Sequence, residues 1–193
     1  MNVFEESNLR FEFSDDWTFI EQYDILADFD RIKNSIEGTK GVDFLGILKD
    51  KALYFFEVKN FKGHRITSKG RFDEEDNPIW LEVAQKVRDT VAGIIGASRK
   101  SLDKEERLQW QEIAEYLINA NKRVIVVLWL EQDGDNDQPE YKRKRKKGRK
   151  TSIKGKLKES LLWLADEVLV LSCDHNLLKD NLEVTFLPKP PTP

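Results

Sequence analysis

Cysteine and histidine are scarce in this chain of 193 residues, which has one cysteine, Cys173, and two histidines. A single cysteine excludes an internal disulfide and favours a reducing compartment. The two histidines lie far apart in the sequence, so the common zinc clusters are excluded. Catalysis by a serine, a histidine and an aspartate has no local signature here either.

Long apolar runs and glycine-rich loops are also missing. No apolar run is long enough to cross a membrane, and no apolar segment near the amino terminus is typical of a signal peptide. We therefore expect a cytoplasmic protein with no membrane partner. The ten glycines form no phosphate-binding loop, which argues against a P-loop ATPase.

Charged residues make up 35% of the chain and hydrophobic residues 39%, a balance typical of soluble globular proteins. A chain of this length fits one domain with a substantial core. We predict a single domain over residues 1–187 and a fraying, proline-rich tail over residues 188–193.

The net charge of −3 conceals a strong asymmetry along the chain. Residues 1–140 contain 19 basic and 29 acidic residues, whereas residues 141–158 contain 11 basic and no acidic ones. Such runs attract phosphate backbones, so we predict a basic loop at 141–158 that contacts nucleic acid. A solvated loop without a ligand is the open alternative. The candidate contacts are Lys142, Arg143, Lys144, Arg145, Lys146, Lys147, Arg149 and Lys150.

Two neighbouring apolar runs, Gly41–Leu48 and Ala52–Phe61, are separated by a short polar trio and predict a β-hairpin. If the turn is symmetric about Asp50, Asp43 lies directly opposite Glu57. A register slip of one residue would put these two carboxylates on opposite faces.

Lys59 shares a face with Glu57, because side chains alternate along a strand. Two adjacent carboxylates repel unless a cation lies between them. Oxygen ligands from Asp43 and Glu57, with the backbone carbonyl of Val58, suit Mg²⁺ or Mn²⁺. The metal would activate a water, and Lys59 would orient or help deprotonate that water, or stabilise the developing charge. The alternative is a solvated face or a salt-bridge network. However, the strand that ends in Glu57 and Lys59 is apolar on both faces, which is typical of a buried strand. Burying these charges costs free energy unless they are paired or take part in binding or catalysis.

The motif Gly41-Val42-Asp43, followed fourteen residues later by Glu57-Val58-Lys59, resembles the PD-(D/E)XK nuclease superfamily. That group includes restriction endonucleases and Holliday-junction resolvases. The resemblance implies metal-binding acids at Asp43 and Glu57 and a catalytic lysine at Lys59. Val42 stands where the family usually has proline. The resemblance also implies a restriction-endonuclease-like core.

Accessory residues are less well defined by the same resemblance. The family often has one more acid on a preceding helix, and four residues compete for this role: Glu21, Asp24, Asp28 and Glu37. It also often places Gln or Lys near the metal from the helix after the Glu-x-Lys strand, which makes Gln85 and Lys86 candidates. A hydrated helix face is the alternative for this pair.

Lys62, His64 and Arg65 follow the site strand and are candidate substrate contacts, unless they belong to an exposed loop with no role.

The rest of the chain alternates between helical and strand patterns, which predicts an α/β fold with a mixed central β-sheet flanked by helices. Pro78 is expected to open a helix and Ser101 to cap the next one. The remaining predicted elements are strand Leu9–Phe13, helix Ile25–Ile36, helix Leu102–Ala120, buried strand Val124–Leu130, loop Glu131–Lys150, helix Ser152–Ala165, strand Val168–Leu171 and strand Glu183–Leu187.

Taken together, the sequence predicts a metal-dependent nuclease that hydrolyses phosphodiester bonds in DNA, although no motif in it distinguishes DNA from RNA. Two alternatives remain. One is a catalytically inactive nuclease-fold module that binds nucleic acid through its basic segment. The other is a protein-interaction module in which Asp43, Glu57 and Lys59 form a salt-bridge network. A homodimer or another protein partner is also open.

Overall fold

A computed structural model of the protein describes residues 1–62, 78–133 and 140–188. Within this part of the chain, strands form two sheets and the helices pack against the larger one. The strands are β1 (Asn2–Glu6), β2 (Leu9–Phe13), β3 (Trp17–Gln22), β4 (Phe44–Leu48), β5 (Ala52–Asn60), β6 (Arg123–Glu131), β7 (Glu167–Leu171) and β8 (Leu182–Phe186). The helices are α1 (Ala27–Lys33), α2 (Ile79–Lys100), α3 (Lys104–Ile118) and α4 (Glu140–Ser160), with a 3₁₀ turn at Tyr23–Ile25.

The larger sheet has five strands in the order β3-β4-β5-β6-β7. Strands β3, β4 and β5 are antiparallel neighbours, whereas β5, β6 and β7 run parallel to one another. The α/β class and the mixed sheet predicted from the sequence are therefore confirmed. Because β5, β6 and β7 are parallel, their carboxyl ends meet at the same edge of the sheet.

The hairpin β4–β5 has the predicted register. Its pairs run from Phe44 opposite Phe56 to Leu48 opposite Ala52, which is the symmetric arrangement about Asp50. Lys49 and Asp50 have φ values of 52° and 53°, and the amide of Lys51 donates to the carbonyl of Leu48 at 3.0 Å. A turn with two left-handed residues matches the twist of its strands and fixes the pairing.

The two faces of the larger sheet are covered differently. Leu53 and Phe55 of β5 pack with residues of the helices, whereas Tyr54, Phe56 and Val58 pack with the three-stranded sheet β1-β2-β8. Among the described residues, helices thus flank one face alone, and the small sheet replaces them on the other. It can do so because its inner side is aromatic. The rings of Phe11 and Phe13 lie 5.1 and 5.8 Å from that of Phe44.

The prediction of a basic loop at 141–158 is wrong, because this segment lies within the helix α4. Lysine and arginine are good helix formers. Ile153 and Leu157 bury one side of the carboxyl-terminal half of α4 in the core under the sheet, and the helix continues amino-terminally from there. The helix ends at Ser160, earlier than the predicted Ala165.

Smaller differences concern strands and helix ends. Asp103, and not Ser101, caps α3, since its carboxylate accepts from the amides of Glu105 and Glu106 at 2.7 and 3.0 Å. Helix α1 is shorter than the predicted Ile25–Ile36, and strands β1 and β3 were not predicted. Pro78 precedes α2 as expected. No described helix is both long and apolar enough to cross a membrane.

Candidate functional site

Five charged side chains meet where the carboxyl end of β5 passes under α2. Asp43 directly precedes β4, and Glu57 and Lys59 extend β5 on the face that is turned to the helices. Glu82 and Lys86 lie one turn apart on α2. Ion pairs connect all five residues, which we call the charge cluster. The structure thus brings together the three residues predicted as catalytic and adds two from the helix.

Lys86 lies between the two predicted metal ligands. Its Nζ is 3.1 Å from Asp43 Oδ1 and 2.8 Å from Glu57 Oε2, with Glu57 Oε1 at 2.7 Å. The side chain is only 12% exposed, so the hydrated helix face considered for this residue is wrong. The cation that two adjacent carboxylates require is a lysine side chain in this structure.

Lys59 lies between Glu57 and Glu82. Its Nζ is 2.8 Å from Glu57 Oε1 and 3.0 Å from Glu82 Oε1. Glu82 was not among the residues predicted for the site. Its spacing of four residues from Lys86 on one helix was the available signal, because such residues share a helix face.

The backbone fixes the carboxylate of Asp43. Its Oδ2 accepts from the amide of Val58 at 2.6 Å, while its own amide donates to Phe56 and its carbonyl accepts from Tyr23, both at 2.9 Å. One carboxylate oxygen of Asp43 is therefore held by β5, and the other is directed at Lys86. Val58, the predicted source of a carbonyl ligand, is buried beside this carboxylate.

Burial perturbs the acid–base balance of the cluster. Glu57 is 1% exposed, and desolvation, together with the charge of Asp43, raises its pKa to about 7 against the opposing influence of Lys86 and Lys59. Burial lowers the pKa of Lys86, but Glu57 and Asp43 outweigh it and raise that pKa above its ordinary value. Near neutral pH, Glu57 is therefore close to its titration midpoint while Lys86 is charged.

The raised pKa of Glu57 predicts a pH-dependent stability. Between about pH 4.5, where the group titrates in an unfolded chain, and pH 7, the folded state binds the proton more tightly. The contribution of Glu57 to the free energy of unfolding should therefore fall by up to about 3 kcal/mol as pH rises through this window. Urea denaturation in EDTA measures this contribution as the difference in free energy of unfolding between the wild type and Glu57→Gln at each pH. A difference that stays constant from pH 4.5 to 8 would contradict the prediction.

Of the four acids that were candidates for the additional acid of the site, Asp24 lies in the most suitable position. It lies on the 3₁₀ turn after β3, and its Oδ1 is buried with no hydrogen-bond partner among the described residues. Burial, then Asp43 and Glu6, raise its pKa, and Lys86 is among the groups that lower it, so Asp24 is electrostatically coupled to the cluster. Asp28 instead accepts from Trp110 Nε1 at 2.9 Å. Glu21, Glu37 and Gln85 are exposed.

Two predicted nucleic-acid contacts, Lys62 and Lys150, lie at the same sheet edge as the cluster. Lys62 follows β5, and its Nζ is 3.7 Å from the centre of the Phe186 ring. The Nζ of Lys150 is 3.4 Å from the hydroxyl of Ser172, which follows β7. The other basic candidates, Lys142, Arg143, Lys144, Arg145, Lys146, Lys147 and Arg149, belong to α4. Arg65 and His64 lie outside the described residues.

The described part of the chain contains no group of three or more acids, histidines or cysteines arranged to hold a metal ion. Within the charge cluster, Lys59 and Lys86 lie between the three carboxylates. The donor chemistry of Asp43 and Glu57 nevertheless fits a divalent cation, because both carboxylates are directed at one point. A metal at that point would replace the Lys86 ammonium group.

No protein-family model matches the chain, and comparisons with curated proteins and with solved structures find no match either. The fold established by the structure is α/β, with a mixed five-stranded sheet and a separate three-stranded sheet. The chemistry of the charge cluster is therefore the starting point for a proposal about function.

Proposed function

We propose that this protein is a metal-dependent nuclease of the PD-(D/E)XK type that hydrolyses phosphodiester bonds in DNA with Mg²⁺ or Mn²⁺. One observation carries the proposal. The carboxylates of Asp43 and Glu57 converge on a single cationic centre, the Nζ of Lys86, at 3.1 and 2.8 Å, with Lys59 beside Glu57. Two hard anionic ligands and an amine on adjacent strands are the groups that this chemistry requires.

The proposal assigns a separate task to each residue. Asp43 and Glu57, with the carbonyl of Val58, hold the metal. A bound Mg²⁺ or Mn²⁺ supplies charge neutralisation at the phosphate and lowers the pKa of a water. Lys59 keeps its ammonium group beside the reacting phosphate and stabilises the charge that develops there. Glu82 positions Lys59 through their 3.0 Å contact.

The surrounding fold supports the same proposal. The motif lies on a hairpin, β4–β5, and β5 is followed by helix α2 and later by the parallel strand β6. The resemblance to the nuclease superfamily implies such a core, and it also implies Gln or Lys near the metal on the next helix. Lys86 occupies a position of this kind, whereas Gln85 is exposed.

Helix α4 supports a nucleic-acid substrate. In the parallel part of the sheet, Val58 pairs with Trp129 and Trp129 with Leu171, so Ser172 follows β7 at about the level of Lys59. One strand, β6, lies between them, so they are two inter-strand spacings apart, roughly 10 Å. The contact between Lys150 and Ser172 thus places positive charge near the cluster. A phosphate backbone that reaches Lys59 would then pass beside α4.

The same helix is tied to the helix of the cluster. Lys156 Nζ lies 5.4 Å from the centre of the Trp80 ring, and Trp80 belongs to the first turn of α2, which also carries Glu82. Nucleic acid bound along α4 would therefore lie beside the element that supplies Glu82 and Lys86.

A second candidate function is favoured by the position of Lys86. A cluster neutralised by its own lysines needs no metal, as in an inactive nuclease-fold module that binds nucleic acid through α4. The two candidates differ in whether divalent metal binds at Asp43 and Glu57 and whether DNA is cleaved.

A cleavage assay tests the proposal. The purified full chain is incubated with linear, circular, single-stranded and branched DNA and with single-stranded RNA, each in Mg²⁺, Mn²⁺ or EDTA. We expect cleavage of DNA in the presence of metal and none in EDTA. Salt-sensitive DNA binding without cleavage would favour the inactive module. Cleavage of RNA alone would correct the substrate, and the absence of both binding and cleavage would reject both candidates.

A further inference from the structure

The two lysines of the charge cluster have different partners. Lys86 contacts Asp43 and Glu57 at once, at 3.1 and 2.7 Å. Lys59 contacts Glu57 and Glu82 but has no ion pair with Asp43. Only Lys86, of the two, therefore fills the space between the proposed metal ligands.

A divalent cation and the Lys86 ammonium group cannot share that space. A metal such as Mg²⁺ binds carboxylate oxygens at about 2.1 Å. A nitrogen within hydrogen-bond distance of the same oxygens would then lie against the ion, and the two positive charges would repel each other at close range. Binding of a metal between Asp43 and Glu57 thus requires the ammonium group to move away.

We propose that Lys86 is an internal counter-ion, which holds Asp43 and Glu57 together in the metal-free protein and is displaced when a divalent cation binds. This inference rests on the proposed metal-dependent function. The lysine side chain is long and flexible, so it can leave without a movement of α2. Metal binding would then exchange one cation, the Lys86 ammonium group, for another between two carboxylates that already lie close together.

The exchange has a consequence for affinity. Part of the binding free energy of the metal is used to break the contacts of Lys86 with Asp43 and Glu57, so the wild-type protein binds metal more weakly than its carboxylates alone would. Replacing Lys86 by methionine removes the competing charge but keeps the unbranched side chain. Since close, partly desolvated charge pairs are strongly coupled, we expect Lys86→Met to bind Mn²⁺ about tenfold more tightly or better.

Isothermal titration of the full chain with Mn²⁺, at a pH where Glu57 is ionised in both proteins, measures this effect. The matched control is Lys49→Met, which removes a half-exposed lysine in the turn between β4 and β5 that is 3.1 Å from Asp16 and outside the cluster. It should bind Mn²⁺ like the wild type, which shows that the gain does not come from the change in net charge.

A measurement on the wild-type protein does not depend on whether Lys86→Met folds. Nitrogen-15 spectra of the lysine ammonium groups should show Lys86 as a slowly exchanging, hydrogen-bonded group in EDTA. Saturating Mg²⁺ should shift this signal or remove it through exchange with water. A Lys86 signal unchanged at saturating Mg²⁺ would overturn the inference.

The outcomes separate the inference from the proposed function. Cleavage of DNA together with equal Mn²⁺ affinity in wild type and Lys86→Met overturns the inference and leaves the nuclease proposal standing. Tighter binding in Lys86→Met that Asp43→Asn abolishes, without cleavage of any nucleic acid, supports the inference and rejects the nuclease. No metal binding in either protein overturns both.

Discussion

Replacing Asp43 by asparagine should lower the metal-dependent cleavage rate at least about a hundredfold while the fold is retained. Asparagine keeps an oxygen that can accept from the amide of Val58, so the local backbone contact at 2.6 Å survives. It removes the negative charge that faces Lys86 and, in our proposal, the metal. The loss should therefore appear in both metal affinity and rate. Single-turnover cleavage with excess enzyme, beside Mn²⁺ titration, measures the two effects separately.

Two further variants make this result specific. Asp30→Asn changes a half-exposed aspartate of α1 and should cleave at the wild-type rate. Lys59→Met should still bind Mn²⁺ but lose most of its rate, because Lys59 is proposed to act on the phosphate. If Asp43→Asn cleaves as fast as wild type, the charge cluster is not the site of the reaction.

In the metal-free protein, Lys86→Met should lower the free energy of unfolding by about 3 kcal/mol, because it leaves Asp43 and Glu57 buried against each other. The double variant Glu57→Met/Lys86→Met removes one charge of each sign. Its loss of stability should be smaller than the sum of the two single losses by about 2 kcal/mol. Urea denaturation in EDTA, at a pH where Glu57 is ionised, measures all four proteins of this cycle.

The exposed pair Asp30 and Lys33 provides the reference cycle. These side chains are about half exposed and 3.8 Å apart, so their coupling should lie below about 0.5 kcal/mol. If the losses in free energy of unfolding caused by Glu57→Met and Lys86→Met simply add in the double variant, their 2.7 Å contact contributes no net stability. Lys86 would then not be held by the carboxylates.

The hairpin was predictable because local rules decide it. A short polar turn and the alternation of apolar residues fix the register of β4 and β5, and this register places Asp43, Glu57 and Lys59 together. The positions of Glu82 and Lys86 depend on how α2 is rotated and where it crosses the sheet. These are long-range packing properties, and an amphipathic pattern defines the buried side of α2 without saying which flanking charges meet β5.

Other differences have similar causes. The basic run was predicted as a loop from its charge, yet the anchored turns around Ile153 and Leu157 extend into a helix. The small sheet depends on pairing between β2 and β8, whose partners Leu9 and Phe186 are far apart in sequence. No local pattern indicates such a pairing. The choice between a metal site and a lysine-neutralised cluster is likewise a question of side-chain geometry that spacing alone cannot answer.

The distance along the chain between β2 and β8 also sets an order of events during synthesis. The elements that carry the charge cluster, β4, β5 and α2, have all emerged once residue 100 has left the ribosome. The second neighbour of β2 arrives only with Leu182–Phe186. Until then, the edge of β2 that pairs with β8 lacks its partner, although the aromatic inner side of the hairpin already faces β4 and β5. A nascent chain halted before β8 thus has every element of the cluster but an unpaired strand edge on the opposite face, where it is open to aggregation.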